Sequence, residues 1–423
     1  MSGASGNGAR RVVVTGMGAV SALGNDVPST WAGLLAGKSG VRTIESFDPS
    51  RVDSKIAAEV RDFDPSGVID RKEMRRMDRY IQFGLVVARQ ALDQAGLPGR
   101  MEGALAERTG CILGSGLGGV ATLFDNVLLM AERGPDRISP FFIPMGIANV
   151  GSGQVAIAFG MLGPNFATVS ACATGAHAIG ESWETIRRGD ADVMLAGGSE
   201  AAIHEAILGG FSSMKALSTR NDDPKAASRP FDTGRDGFVM GEGAGMLILE
   251  ELSHAEARGA EPLAELVGYG ATADAAHITL PAPGGAGAVR AGRRALEKAG
   301  MAPDELDHVN AHATSTPEGD SAELQGLATL LGEHGPSVSI TANKSMLGHT
   351  LGAAGAIESI ATIQAMREGA VPPTINLVDQ DPSTNGLDLT PLTPTRRPIR
   401  AALNNSFGFG GQNAALIFRR WEG

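Results

Sequence analysis

The chain has 423 residues, 43% of them hydrophobic, and a formal net charge of −11. That balance argues against general nucleic-acid binding, and any acidic partner must be met by a local basic patch. Only two cysteines are present, Cys111 and Cys172, which is no disulfide framework and points to a cytoplasmic protein. No run approaches the roughly 20 apolar residues of a membrane span.

Residues 1–8 read as a disordered tail. Arg10 and Arg11 followed by residues 12–23 superficially resemble a signal peptide, but Thr15, Gly16 and Gly18 interrupt the run. Val12, Val13 and Val14 before a glycine turn read instead as a first core strand. Residues 31–35 form a short helix and 41–70 are mostly loop. Arg71, Lys72, Arg75 and Arg76 then open a long helix that runs to Ala95 and stops at Gly96. Residues 109–114 are a strand, so Cys111 is most simply a core residue. After an irregular segment of about 119–163, residues 165–169 form a short strand leading to Cys172. Further strands follow at 193–196 and 243–249, separated by a polar loop at 215–241.

The second part of the chain repeats the first. Arg89, Ala91, Leu92, Ala95 and Gly96 recur as Arg293, Ala295, Leu296, Ala299 and Gly300. Each of these helices is followed by a strand, 109–113 and 307–311. The helix after Cys172, closed by Gly189, has its counterpart in residues 348–368, closed by Gly369. Length alone predicts roughly three domains, but the repeat favours two fused halves, 11–258 and 259–423. Alternating strands and helices predict an α/β fold with largely parallel halves related by pseudo-twofold symmetry. Cys172 and His349 would then approach each other at the junction.

Cys172 lies in Val169-Ser170-Ala171-Cys172-Ala173-Thr174-Gly175, a run of small residues at a strand-to-helix elbow. On the first turn of a helix, the dipole and free N–H groups favour a thiolate and can hold an oxyanion. A buried structural cysteine fits this stretch alone equally well. His312 follows a strand in His-x-Thr-x-Thr-Pro-x-Gly-Asp (312–320), and His349 ends Asn-Lys-x-x-x-Gly-His (343–349) at a helix start. That position predicts a neutral imidazole, with Lys344 a nearby cation. Residues 404–411, which contain Asn-x-Phe-Gly-Phe-Gly-Gly (405–411), read as a glycine hinge, whose phenyl rings can block or open a channel.

In combination these motifs resemble those of the β-ketoacyl-[acyl-carrier-protein] synthases, condensing enzymes of the thiolase-like superfamily. The resemblance spans about residues 11–419 and is strongest to the type II elongating synthases of fatty-acid synthesis. It implies a thiolase-like fold, two pseudo-symmetric α/β halves in a layered αβαβα arrangement, the first carrying the nucleophilic cysteine and the second the two histidines. It further implies that Cys172 takes an acyl chain as a thioester, while His312 and His349 assist decarboxylation of a malonyl-carrier and stabilise the enolate. Lys344 and Glu323 would be a charged pair supporting His312, and Thr314, Thr316 and Thr279 would bind substrate. The N–H groups of Cys172 and Phe409 would form the oxyanion hole, with Phe409 as gate and Leu117 and Phe211 lining the acyl pocket. The partner implied is acyl carrier protein, docked on Arg71, Lys72, Arg75, Arg76 and Lys215; a merely solvated helix face is the plainer reading of that cluster. A homodimer is expected, with no metal or redox cofactor, the substrates riding on a phosphopantetheine arm. Ala313 and Gln412 depart from the family pattern, which has Gly and commonly Thr there, without removing a catalytic group.

Other readings compete. Gly114-Ser115-Gly116-Leu117-Gly118-Gly119 fits a dinucleotide-binding G-x-G-x-x-G after a strand, but the expected βαβ context and acidic ribose ligand are missing. His308 and His312 have i, i+4 spacing on a strand, with no further ligand set nearby, and His177 and His204 pack or face solvent. A cysteine hydrolase is the enzymatic alternative, and the second histidine argues against it. A polyketide ketosynthase uses the same constellation. A non-catalytic partner subunit of such a system usually lacks the cysteine.

Overall fold

The computed structural model describes residues 10–384 and 386–423; the tail expected at 1–8 lies outside them. The first half runs β1 (Val12–Val20), α1 (Arg79–Ala95), β2 (Thr109–Gly114), β3 (Asn165–Phe166), α2 (Thr174–Arg188), β4 (Val193–Glu200) and β5 (Gly243–Glu251). The second runs β6 (Ala264–Ala273), α3 (Ala286–Ala299), β7 (His308–Asn310), α4 (Pro317–Leu331), β8 (Ser339–Thr341), α5 (Ala354–Glu368), β9 (Ala401–Gly408) and β10 (Gln412–Arg419). The remaining elements are named by their residues.

The strands form one sheet of ten, ordered β8-β7-β9-β10-β6-β1-β5-β4-β2-β3. Read outward from the centre, β1-β5-β4-β2-β3 and β6-β10-β9-β7-β8 are the same topology, so the repeat seen in the helices extends to the whole of each half. The halves join where Val12–Val14 pair antiparallel with Ala264–Leu266. The expectation of largely parallel halves is corrected. Each half has parallel pairs on its outer side, β2 with β3 and β4 or β7 with β8 and β9, and antiparallel pairs on its inner side. A parallel pair needs a crossover, usually helical, whereas a tight turn returns the strand antiparallel; β9 enters β10 through residues 409–411 alone.

The halves stack in αβαβα layers. Helix α1 covers β1 and β5 on one outside and α3 covers β6 and β10 on the other, while α2 and α5 pack against each other between. Helix α5 is buried on every side from Ala354 to Met366, as a helix enclosed between the two halves of the folded sheet must be. Both central helices end in a left-handed glycine, Gly189 and Gly369.

Three local expectations change. The basic cluster does not open one long helix: Arg71–Met74 is a separate turn, and α1 restarts at Arg79. Buried Asp78 causes the break, its carboxylate accepting from the Tyr80 N–H at 3.1 Å and the Thr122 hydroxyl at 2.6 Å. The strand expected at 165–169 pairs only at Asn165–Phe166. The hinge expected at 404–411 is mostly strand β9, leaving a hairpin turn at 409–411.

Helices α2 and α5 cross with their backbones in contact. A Cβ on Gly175 would lie 2.9 Å from the Ala356 nitrogen, and one on Gly355 would lie 2.6 Å from the Ala176 nitrogen. These glycines occupy the same position in their helices, so the pseudo-twofold axis passes between them. Gly175→Ala is therefore expected to lower stability by about 1–3 kcal/mol through overpacking. Gly67→Ala, where an added Cβ meets nothing within 4 Å, should be nearly silent; equal denaturation midpoints for the two variants would refute the close crossing.

Candidate active site

The two halves build the same elbow before their central helices. Residues Ala171–Ala173 and Leu351–Ala353 are 3-10 turns, each entered through a non-glycine residue in left-handed backbone, Ala171 at φ 49° and Leu351 at φ 47°. Such a residue costs roughly 1–2 kcal/mol, and the buried packing around both elbows holds it. Cys172 therefore sits in the turn just before α2 rather than on its first α-helical turn, and its counterpart in the second half is Gly352.

The backbone N–H groups of Cys172 itself and of Phe409 act electrostatically on the Cys172 sulfur without making a hydrogen bond to it. The approach of the hairpin depends on Gly408, where a Cβ would lie 2.5 Å from the Ser170 carbonyl oxygen. Although Cys172 borders a cavity, burial pushes its thiol up to about 12, opposed by Lys344 and these N–H groups and reinforced by Glu200. The thiolate expected from the helix terminus is thus not the resting state. A helix end contributes about 0.3–1 kcal/mol, less than one pKa unit, while burial shifts a group by up to roughly 3–5 units.

His312 follows β7. Its N–H and that of Ala313 donate to Glu323 on α4 at 2.8 and 2.6 Å. Its carbonyl accepts from Lys344 Nζ at 2.6 Å, and its Nδ1 lies 3.4 Å from the same atom. The ion-pair partner of Lys344 is not Glu323, however, but Glu358 on α5, at 2.5 Å with both side chains buried. Glu323 is turned to the backbone of the histidine loop, while Lys344 points at the central helix. Behind them runs a ladder of amides: Asn343 Nδ2 donates to Asn310, Asn310 Nδ2 to Asn404, and Asn404 Nδ2 to Ser359, at 2.7, 2.7 and 2.9 Å.

The His349 ring is only 2% exposed, yet neither ring nitrogen has a hydrogen-bond partner within the protein. It stands 5.5 Å from the His312 ring at 84° and 5.4 Å from Phe238. Both histidines are held well below the usual imidazole range, first by burial and then by Lys344, with His349 adding to the effect at His312. Neutral imidazoles were expected; the cause is burial beside a cation, not a helix terminus.

Cys172, His312 and His349 line one cavity of about 350 Å³. Residues 9–255 match the family described as "Beta-ketoacyl synthase, N-terminal domain", and residues 263–378 match its C-terminal domain. The chain belongs to the β-ketoacyl synthase family. It is 46% identical over 413 residues to the 3-oxoacyl-[acyl-carrier-protein] synthase 2 of Synechocystis sp., covering 98% of this chain and 99% of that protein. Among solved structures, a β-ketoacyl synthase from Burkholderia phymatum superposes with a TM-score of 0.91 at 36% identity, over 98% of this chain and 100% of that one. A ketosynthase bound to the hexaketide and in complex with its type II PKS acyl-carrier protein superposes with a TM-score of 0.90 at 34% identity, with the same coverage.

The cavity of this synthase is also lined by Glu323, Thr314, Thr316, Thr279, Leu117, Phe211 and Phe409. The Thr314 and Thr316 hydroxyls share a hydrogen bond of 3.0 Å. The Phe409 and Phe211 rings are 6.4 Å apart, and exposed Lys215 stands on the lining. Arg71, Lys72, Arg75 and Arg76 do not line the cavity. The first three are exposed, and Arg76 is engaged with Glu73 at 2.8 Å and the Phe141 ring at 4.9 Å.

The glycine loop 114–119 offers no phosphate cradle, because the N–H groups of Gly116 and Leu117 donate to the buried Glu200 carboxylate. His308 is structural, bonded through Nδ1 to the Ser339 carbonyl at 2.8 Å. His177 packs beside Ser170 at 2.7 Å, and His204 stacks on Phe124. Among the described residues, no group of three or more His, Cys, Asp or Glu is placed to hold a metal ion, and no helix is long and apolar enough to cross a membrane.

Sequence reasoning missed Glu358, Glu200 and the loop that holds the hairpin. Gly410 N–H donates to the Ile278 carbonyl and Asp274 N–H to the Gly411 carbonyl, both at 2.7 Å. Asn413 Nδ2 adds a bond to Asp274 at 2.8 Å.

Proposed function

We propose that the chain elongates acyl groups by decarboxylative Claisen condensation with a malonyl-carrier, in fatty-acid biosynthesis. One observation carries the mechanism: two neutral histidines, one with both ring nitrogens unpartnered, border the same cavity as the cysteine. In the first half-reaction the Cys172 sulfur attacks the acyl thioester, the bond from the acyl carbon to the carrier's sulfur breaks, and the cysteine proton ends on the leaving carrier thiolate. His349 borders the same cavity with both ring nitrogens unpartnered and can relay that proton without keeping it, because burial holds its imidazole neutral. In the second, the malonyl C–C bond breaks, carbon dioxide leaves, and its electron pair forms an enolate whose oxygen His312 and His349 stabilise by hydrogen bonds. The enolate carbon attacks the acyl-cysteine carbonyl. The resulting oxyanion takes the N–H groups of Cys172 and Phe409, then collapses to release the β-ketoacyl-carrier and the free cysteine. Phe409 serves as gate, Leu117 and Phe211 as acyl wall, and Thr279, Thr314 and Thr316 as contacts for the arm. No metal or redox cofactor takes part in this scheme, and it runs in the cytoplasm. The 46% identity over nearly the whole chain to 3-oxoacyl-[acyl-carrier-protein] synthase 2 supports the fatty-acid pathway.

Labelled carbon dioxide release from malonyl-carrier separates this reading from a hydrolase. Cys172→Gln, whose amide imitates an acylated cysteine, should keep releasing it, and His349→Ala should lose roughly 100- to 1,000-fold, the usual cost of one such donor. The histidines, already depressed, stay neutral as pH falls through 6.5, so release by Cys172→Gln should decline only well below that pH. No release by the wild-type chain would end the condensing assignment.

The partner proposed is acyl carrier protein, steered to Arg71, Lys72, Arg75, Arg76 and Lys215 on an otherwise acidic chain. The exposure of all but Arg76 supports this. Charge reversal at Arg75 and Lys215 should slow reaction with carrier-bound acyl groups and spare small pantetheine thioesters; an equal loss with both would dismiss the docking surface.

We propose further that the chain is a homodimer through the free edge of β3. Phe166 on that strand is 44% exposed, and neighbouring Ile157 and Leu162 are 68% and 71% exposed. An open strand edge flanked by exposed apolar side chains is a surface that soluble proteins cover. Light scattering should give twice the chain mass for wild type and the monomer mass for Leu162→Lys; a monomeric wild type would exclude the dimer.

A further inference from the structure

Glu200 ends β4 with a fully buried carboxylate. It accepts from the Ser115 hydroxyl at 2.8 Å, from the Gly116 and Leu117 N–H groups at 2.7 and 3.2 Å, and from the Gly352 N–H at 2.9 Å. All four donors are neutral. Three belong to the loop that carries Leu117 into the cavity. The fourth is the second-half counterpart of Cys172, three residues after His349. Space around the carboxylate is minimal: a Cβ on Gly352 would lie 2.4 Å from the Gly116 nitrogen and 2.6 Å from Glu200 Oε2. Ser115 Oγ in turn accepts from the Gly118 N–H at 2.9 Å, so the carboxylate organises the loop on both sides of Leu117.

A buried carboxylate met only by neutral donors is expensive, and a structural tie between two loops could be made without a charge. We propose that Glu200 is a positioning residue of the active site, its carboxylate clamping the Gly116–Leu117 wall of the acyl cavity to the Gly352 turn and setting the electrostatic environment of Cys172. Burial raises Glu200 itself to about 7, and its charge acts on the Cys172 thiol in the direction opposite to Lys344. The charges that act on the thiol are Glu200 from β4 and Lys344 at the start of the short helix Lys344–Leu347, and the cavity it borders is lined as well by His312, His349, Glu323, Lys215, Asp274 and Glu318. Tyr80 on α1 also feels Glu200.

The proposal rests on the condensing reading for its chain-length arm but not for its thiol arm. Iodoacetamide alkylation of Cys172, followed by intact mass across pH, reads the thiol without any substrate. Above pH 8, where Glu200 is ionised, Glu200→Gln should alkylate roughly 3- to 10-fold faster than wild type, a shift of up to about one pKa unit. Ser115→Ala keeps the charge and removes one tie, so its alkylation profile should match wild type. Its ratio of kcat/KM for long over short acyl-carriers should nevertheless change several-fold, as expected of a displaced pocket wall on the order of 1 kcal/mol. Two results overturn the proposal: a folded Glu200→Gln with the wild-type alkylation profile, or a Ser115→Ala enzyme with an unchanged chain-length ratio. If Glu200→Gln does not fold, Ser115→Ala alone decides. If the wild-type chain releases no carbon dioxide from malonyl-carrier, the condensing reading fails while the alkylation comparison still decides the role of the Glu200 charge.

Discussion

The site depends on two helices crossing closer than side chains allow. Gly175 and Gly355 let α2 and α5 meet backbone to backbone, and that contact fixes where both elbows project. Layering alone would not do this, because two sheets can enclose helices at many offsets. With larger residues at these positions the helices would part, and the histidines of one half would no longer face the cysteine of the other. The strained Ala171 and Leu351 are held by the same packing, which joins the energetics of the core to the geometry of the nucleophile.

Electrostatically, the cavity is governed by burial and one cation. Lys344 is paired with Glu358 yet still acts on Cys172, His312 and His349. Removing either partner of a buried pair costs about 3–5 kcal/mol, so the pair anchors the loop between the histidines as well as biasing them. Burial keeps the imidazoles neutral and the thiol protonated, a combination suited to a nucleophile that must surrender its proton only when an acyl group arrives. Neutral imidazoles can then donate to an enolate oxygen without protonating its carbon.

Much of this was legible in the sequence, for physical reasons. The repeat shows because both outer helices need the same small-residue face against a sheet, Ala91 and Ala95 in one and Ala295 and Ala299 in the other. The trio of Cys172, His312 and His349 shows because each follows a strand end or a turn with distinctive glycines. The partner of Lys344 did not show. Glu358 lies in an apolar run whose complete burial follows only from the two halves of the sheet closing over it. Glu200 was hidden in the same way, at the end of a strand, with the partners of its carboxylate coming from two separate segments, residues 115–117 and Gly352. The protonated thiol was missed because a helix terminus is visible in a sequence and the depth of burial is not.

Duplication explains why the Glu200 carboxylate stands where it does. In the first half the elbow N–H, on Cys172, makes no hydrogen bond among the described residues and acts on the sulfur only electrostatically. In the second, the equivalent N–H on Gly352 is taken by Glu200 from the first half. One copy of the motif is thus left free for chemistry, and the other is satisfied internally. A buried elbow whose N–H met no acceptor would cost about 1–3 kcal/mol, so the half without a nucleophile needs an acceptor at that point. Glu200 supplies it with an atom of the opposite half, and the contact that satisfies the second elbow is also one that ties the halves together beneath Cys172.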